Sequence, residues 1–316
     1  MSEMRLPQST RKGYGEAILE LGKENNDIFV VDVDIAKSCY TSDFAHELPE
    51  QHVNVGIAEQ NACGFAVGLA TAGKIPFVTT YAVFGSMRMC EQIRQSVCYP
   101  KLNVKIACSH GGLTSANDGA SHQGIEDMGI MRTLPNMTVV MPADYISAKK
   151  LTRAVAEHYG PCYIRFTRDT IPQIYDEDAE FTLGKANMLR DGKDVTVIGI
   201  GDTVCIALEA AKVLASKGIE ARVLDMHTIK PLDIQAVRAA AEDTGRIICI
   251  EDHNIINGLG SAVSEVIAEI GGALVRRIGI PDAFGESGEY RELLASRGIT
   301  AEHIVEDAID LMRAKD

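Results

Sequence analysis

The chain has 316 residues, 46% of them hydrophobic and 24% charged, with a formal net charge of −13 at pH 7. That length supports two domains with cores of their own, and the composition is that of an ordinary globular protein. An acidic balance with no basic stripe argues against nucleic acid as a partner, while an anionic small molecule needs only a few placed cations. The eight cysteines are scattered, mostly in apolar runs, and form no CxxC pair. Neither a zinc site nor a disulfide framework is expected, and the thiols read as buried and free in a reducing cytosol. The polar N-terminus MSEMRLPQSTRKG lacks an apolar signal core, and no run is long and apolar enough to span a membrane. A cytoplasmic location is therefore expected.

In chain order, Arg11 to Lys23 reads as a helix, followed by a strand from Ile28 to Asp34 and a short one at His52–Val55. A helix from Ala58, a strand from Pro76, a helix from Ser86 to Tyr99 and the strand VKIACSH come next. After a long polar loop follow a helix around Met128, the strand MTVVMPAD, a helix from Ile146 to His158 and the strand CYIRFTR. The segment from Asp169 to Leu183 is acidic and Pro-interrupted, as suits a connector between domains. A second alternation follows: VTVIGIG, a helix from Thr203 to Lys217, EARVLDMH, a helix from Leu232 to Ala241, RIICIED, a helix from Gly260, and LVRRIGI. The tail from Arg291 to Ala314 reads as one amphipathic helix. Such alternation predicts an α/β fold: two doubly wound domains with mainly parallel sheets, 1–180 and 181–316.

The stretch from Val53 to Gly73 carries one acid, Glu59, among apolar, small or neutral residues at the start of a helix. A carboxylate there is costly unless something hydrogen-bonds to it. Either the protein satisfies it, as with many helix-start acids, or a ligand does. Tyr81, Phe84 and Met87 fall where a strand passes into a helix; such residues are either core or a face for a flat heterocycle. The loop Ser109 to Asp127 follows a strand, so it lies at the carboxyl edge of a parallel sheet, where ligands bind. Its His110, Asp118 and His122 could bind phosphate, bind hydroxyls or move protons, against the plain alternative of a solvated turn. Their spacings match no helix-borne metal-ligand pair.

Elsewhere Gly199-Ile-Gly201 is half a dinucleotide fingerprint and reads as tight strand-to-helix packing. The run from Glu251 to Ala262 could present a helix N-terminus to an anion, but close packing is the favoured reading. Arg11, Arg165 and Arg168 are isolated in sequence and, on composition alone, ordinary surface charges.

GIAEQN, then TTYAVFGSMR, then SHGGLTSANDGASHQGIEDMGIMRTLPNMTVVMPAD together resemble the C-terminal half of transketolases, over essentially the whole chain. The chain resembles the stand-alone second subunit of a split transketolase, with a pyrimidine-binding domain and a transketolase C-terminal domain. The resemblance implies a thiamine diphosphate enzyme that transfers a two-carbon ketol unit from a ketose phosphate, or a similar anionic ketose, to an aldose. The glutamate matching Glu59 hydrogen-bonds N1′ of the cofactor's aminopyrimidine and favours the imino tautomer that deprotonates the thiazolium C2. The thiazolium is the electron sink, while the protein orients and manages protons.

Tyr81, Phe84 and Met87 match positions around the pyrimidine, and Asp34 matches an acid near the cofactor. Asp118 and His122 match residues that contact the donor sugar's oxygens, with His122 also catalytic. Arg11, Ser38, His110 and Arg168 match a cluster that grips the substrate phosphate, a task suited to arginine.

Three departures are visible: Gln60–Asn61 in place of a histidine-containing run, Met87 in place of an aromatic, and Thr114–Ser115–Ala116 in the His110 loop. They bear on donor and acceptor identity. The family's GDG…N motif for the diphosphate and its magnesium or other divalent cation has no match here, and Gly201–Asp202–Thr203 lacks the second glycine. No metal ligand is therefore assigned to this chain. An N-terminal partner subunit is expected to bind the metal, with active sites at the subunit interface of an α2β2 assembly. The enzymatic alternatives are 1-deoxyxylulose-5-phosphate synthase and a 2-oxo-acid dehydrogenase β chain. A regulatory or scaffolding homologue is the non-enzymatic one.

Overall fold

The computed structural model describes residues 6–313, so the first five residues of the polar N-terminus and Ala314 of the tail lie outside the described residues. Runs such as Ile28–Asp32 and Val195–Gly199 carry apolar side chains on both faces and are almost wholly buried, which requires helices on both sides of a sheet. Two such sheets form. The first runs in the order Thr228–Lys230, Thr138–Val140, Cys162–Arg165, Lys105–Ser109, Ile75–Tyr81, Ile28–Asp32, His52–Asn54. Its pairs are parallel except the first. The second runs Leu274–Ile280, Arg246–Asn254, Val195–Gly199, Ala221–Asp225, Asn187–Arg190, antiparallel only at the last pair. This is the expected α/β architecture with mainly parallel sheets.

Several elements differ from the sequence reading. The strand from Pro76 stops at Tyr81, and the next helix begins at Ala82 rather than Ser86. That helix is not continuous to Tyr99: it breaks into Ala82–Met87, Cys90–Gln92 and a wider π turn over Ile93–Cys98. Met89, at φ −94° and ψ 0°, leaves helical geometry at the break and its side chain is fully buried in the core. The tail is two helices, Tyr290–Ser296 and Ala301–Arg313. Gly298 between them takes φ +70°, a conformation glycine adopts without steric cost. The edge strands Asn187–Arg190 and Thr228–Lys230 carry no sequence signal, being short and lacking an alternating pattern. The second of these comes from the C-terminal part of the chain yet closes the edge of the first sheet.

The acidic segment from Asp169 to Leu183 is tied to the rest of the chain. Its Thr170–Ile171 pairs antiparallel with Gln8–Ser9, and the buried Tyr175 donates its hydroxyl to Asp225 Oδ2 at 2.7 Å. All eight cysteines are free. Among the described residues, no helix is long and apolar enough to cross a membrane.

Candidate active site

The carboxyl edge of the first sheet gathers most of the residues singled out above. Glu59 is the first residue of the helix Glu59–Thr71 and is buried. Its Oε1 accepts from Arg88 Nη1 at 3.0 Å, and the Arg88 guanidinium lies 4.0 Å from the centre of the Phe84 ring. Phe84 and Arg88 are four apart on consecutive helical turns, so both side chains fall on one face. The cation is therefore held twice, by a carboxylate and by a ring face. Arg88 is nevertheless half-exposed, with its side chain 53% accessible. Tyr81 stands 6.1 Å from Phe84 and 4.0 Å from His110, ring centre to ring centre. Phe84 meets His122 edge-on at 5.4 Å. Thus Glu59, Tyr81, Phe84, His110 and His122 form one cluster, drawn from a strand end, two helices and one loop.

The cationic side is assembled by the small Gln8–Ser9 pairing. Thr10 Oγ1 accepts from the Thr167 backbone N–H at 2.8 Å and meets the Thr167 hydroxyl at 3.0 Å. Arg11 and Arg168, each the next residue along, are thereby brought together across 157 positions of sequence, with Arg11 Nη2 donating to the Arg168 carbonyl at 2.8 Å. Arg11 Nη1 donates to the Ser38 carbonyl, while its buried Nε has no partner among the described residues. Arg168 Nη1 donates to the Ser115 carbonyl at 3.0 Å and to Asp118 Oδ2 at 3.2 Å. His110 is buried beside these groups, its Nδ1 2.8 Å from Ser109 Oγ. Burial pushes its pKa down to about 3, helped by the charges of Arg11, Arg168 and His122. At physiological pH His110 is therefore neutral, a hydrogen-bonding group rather than a cation.

The loop carries backbone strain. His110 and Ala116 both have positive φ without being glycine, and Ala116 at φ 50°, ψ −111° lies outside the regions open to an alanine. Outliers of this kind cost roughly 1–3 kcal/mol each and persist where surrounding structure enforces them.

Two expected residues stand outside the cluster's contacts. Asp34 is exposed, its Oδ1 accepting from Asn54 Nδ2 at 3.2 Å, and Met87 is exposed on the Ala82–Met87 helix. The reading of Arg165 as an ordinary surface charge is overturned. It is fully buried, 3.5 Å from Asp127 Oδ2 and donating to the Asp252 carbonyl at 2.7 Å. The helix N-terminus after Glu251 is already filled, because the Glu251 carboxylate accepts from Leu259 N at 2.7 Å and Gly260 N at 2.8 Å. Sequence reasoning missed Arg88 as the partner of Glu59; its four-residue spacing from Phe84 was the available signal. Among the described residues, no group of three or more His, Cys, Asp or Glu is arranged to hold a metal ion.

Comparison with known proteins identifies the setting. The family described as the transketolase pyrimidine binding domain matches residues 7–173, and the transketolase C-terminal domain matches residues 184–304. The chain belongs to the transketolase family. A protein of Methanocaldococcus jannaschii described as a transketolase C-terminal section is 46% identical over 306 residues, 96% of each chain. A subunit of the apulose-4-phosphate transketolase of Phocaeicola vulgatus is 42% identical, covering 96% of this chain and 97% of the relative. Among solved structures, a split-gene transketolase described as an inactive β4 tetramer superposes with a TM-score of 0.91 at 46% identity, over 98% of this chain and all of that one.

Transketolases use thiamine diphosphate. Glu59 offers a buried acceptor and Phe84 a ring face beside it, both now engaged by a half-exposed arginine. An acceptor beside an apolar ring face is an arrangement that suits the edge and face of an aminopyrimidine.

Proposed function

We propose that this chain is the C-terminal subunit of a split transketolase. It would transfer a two-carbon ketol unit from a ketose phosphate, or a similar anionic ketose, to an aldose, in complex with an N-terminal partner subunit. The observation that carries the reading is the buried Glu59 beside Phe84, both contacted by the half-exposed Arg88. Relatives of matching extent support it: besides the apulose-4-phosphate transketolase subunit, a 6-deoxy-6-sulfo-D-fructose transketolase subunit of Clostridium sp. is 40% identical, covering 97% of this chain and 95% of the relative. We place the boundary between the two domains at residue 180.

In this reading Glu59 exchanges Arg88 for the cofactor's N1′ and holds a proton there, in a setting whose low dielectric strengthens a charge-assisted bond. Tyr81 and Phe84 flank the heterocycle. When bound, thiamine diphosphate supplies the electron sink for the two-carbon fragment. His122 and Asp118 face the sugar oxygens, with His122 moving protons at the substrate hydroxyl. Arg11, Ser38, His110 and Arg168 receive the anionic group. Because Arg168 is already paired with Asp118, an incoming phosphate competes with that carboxylate and at the same time frees it for the sugar. Asp34 and Met87 contribute at the cofactor's margin.

The diphosphate and its magnesium ion fall to the partner subunit, since the sequence carries no GDG…N motif. A surface for that subunit lies beside Glu59: Ile57 is 77% exposed and Phe65 41%, and open space surrounds Gly64 and Gly68 on the same helix. An α2β2 assembly in the cytoplasm completes the proposal. The test is to assay the chain alone and with its partner, with thiamine diphosphate, magnesium and a ketose phosphate. Turnover is expected only in the pair. Full turnover by the isolated chain would overturn the need for a partner, and an inactive pair across a panel of ketose phosphates would overturn the activity.

A further inference from the structure

The C-terminal domain holds none of the residues assigned above, yet two of its segments grip the loop that carries three of them. Asp252, fully buried near the end of the strand Arg246–Asn254, accepts the Leu113 backbone N–H with both oxygens, at 3.0 Å each. The neighbouring Gly112 has φ +64°, and a side chain there would collide with the Asp252 carboxylate. Arg165 donates to the Asp252 carbonyl, and Tyr290 donates its hydroxyl to Asp252 Oδ2 at 3.2 Å, so the aspartate is itself held from two sides. At the far end of the loop, Gln123 Nε2 donates to the Glu286 carbonyl at 2.8 Å. A β-carbon at Gly119 would lie 2.6 Å from Ser287 Oγ, which fixes how closely the two loops approach.

These two anchors bracket the whole segment bearing Asp118 and His122, and the first sits three residues beyond His110. Between them lies Ala116 in its strained conformation. A free loop would relax such a residue, so the strain must be sustained by what holds the ends. We infer that the C-terminal domain is the template for the substrate loop, and that Asp252 is a positioning residue acting through Leu113 on His110, Asp118 and His122. The inference rests on the proposed function for what the loop binds, while the grip itself does not depend on it. The C-terminal domain therefore shapes the substrate side of the site without touching substrate. Preorganisation of this kind matters because small misplacements of binding groups cost large factors in rate.

The experiment uses the full chain, alone and with its partner subunit, as Asp252→Ala, Asp252→Asn and Gln123→Met. Hydrogen exchange is followed over residues 111–123 and, as a control, over the helix Glu59–Thr71. In the Asp252 variants the loop amides are expected to exchange at least about tenfold faster, the scale set by losing a charge-assisted hydrogen bond, and in Gln123→Met about two- to tenfold faster, the scale of a neutral one, with the control helix unchanged. In the active pair KM for the ketose phosphate rises by a similar factor, the Kd for thiamine diphosphate stays within about twofold, and Asp252→Asn, which keeps one acceptor, falls between Asp252→Ala and the parent.

Loop exchange unchanged in any folded variant would overturn the inference, as would acceleration spread evenly over the chain. If Asp252→Ala does not fold, Gln123→Met tests the other anchor. If neither folds, the parent chain decides: a Leu113 amide exchanging as fast as an exposed turn overturns the template. An inactive parent pair would defeat the proposed function and leave the exchange result standing.

Discussion

The two sheets present the same kind of edge, strands ending in loops that lead into helices, and they treat the polar groups there in opposite ways. At the second sheet's edge the acids are committed. Glu251 caps the following helix through two backbone N–H groups, Asp225 accepts from Tyr175, and Asp202 accepts from Tyr290. These acids are buried, and burial pushes the carboxyl groups of Glu251 and Asp225 up to about 7. At the candidate site on the first sheet's edge the partners are exposed to solvent. Glu59 is paired with a half-exposed arginine and Arg168 with an exposed aspartate. A parallel sheet puts loops where ligands can reach them, but a site arises only where the polar groups can change partners.

The strongest challenge to that contrast is Glu59→Gln. In the reconstituted enzyme kcat should fall by about 10²–10⁴-fold, the range for loss of a positioned acid–base group, while the melting temperature of the isolated chain barely moves. A loss below about tenfold, measured by steady-state turnover, would remove Glu59 from the proton relay.

Tyr175→Phe probes the committed edge. It strips Asp225 of its hydroxyl donor and should cost about 1–3 kcal/mol of stability, read by urea unfolding, with kcat/KM of the folded complex unchanged. Arg88→Met addresses the solvent-exposed partner. Because Arg88 is half-exposed, the isolated chain should lose no more than about 1 kcal/mol. The complex should bind thiamine diphosphate up to about fivefold more tightly, since no latch has to open. Weaker cofactor binding by calorimetry would instead make Arg88 a cofactor ligand.

A further effect is one of pH, and the two edges have opposite signs. The His110 imidazole is held down at about 3, so between its ordinary value near 6.5 and that point the unfolded chain takes up a proton that the folded chain refuses. Stability from this group is lost as pH falls below about 6.5. Asp225 is held up at about 7, so as pH falls from about 7 towards 4 the folded chain keeps a proton the unfolded chain lacks, and stability is gained. His110→Asn should flatten the first slope and Asp225→Asn the second, in unfolding curves at pH 5, 6 and 7.

Much of this is legible in the sequence because it rests on local pattern. The alternation of apolar runs with helical periods leads to both parallel sheets, and the acid at the start of an apolar helix singles out Glu59. What the sequence conceals depends on contacts remote along the chain. Nothing near Arg11 announces that a two-residue pairing of Gln8–Ser9 with Thr170–Ile171 will set it against Arg168. Arg165 looks like Arg168 in sequence, yet one is fully buried against Asp127 and Asp252 and the other lies at the site. Helix breaks are equally hidden: Met89 ends a helical run through its place in the core, without a proline or glycine to mark it.

The strand Thr228–Lys230 has a consequence for how the molecule is made. It completes the first sheet by pairing antiparallel with Thr138–Val140, although the helix Thr203–Ser216 and the second sheet's strands Asn187–Arg190, Val195–Gly199 and Ala221–Asp225 lie between them in the chain. During synthesis the edge at Thr138–Val140 therefore stays open until residues 228–230 have left the ribosome. An uncovered edge of that kind is a template for pairing with another chain. Truncations ending between residues 180 and 228 should accordingly aggregate, even though they contain every residue assigned to the site.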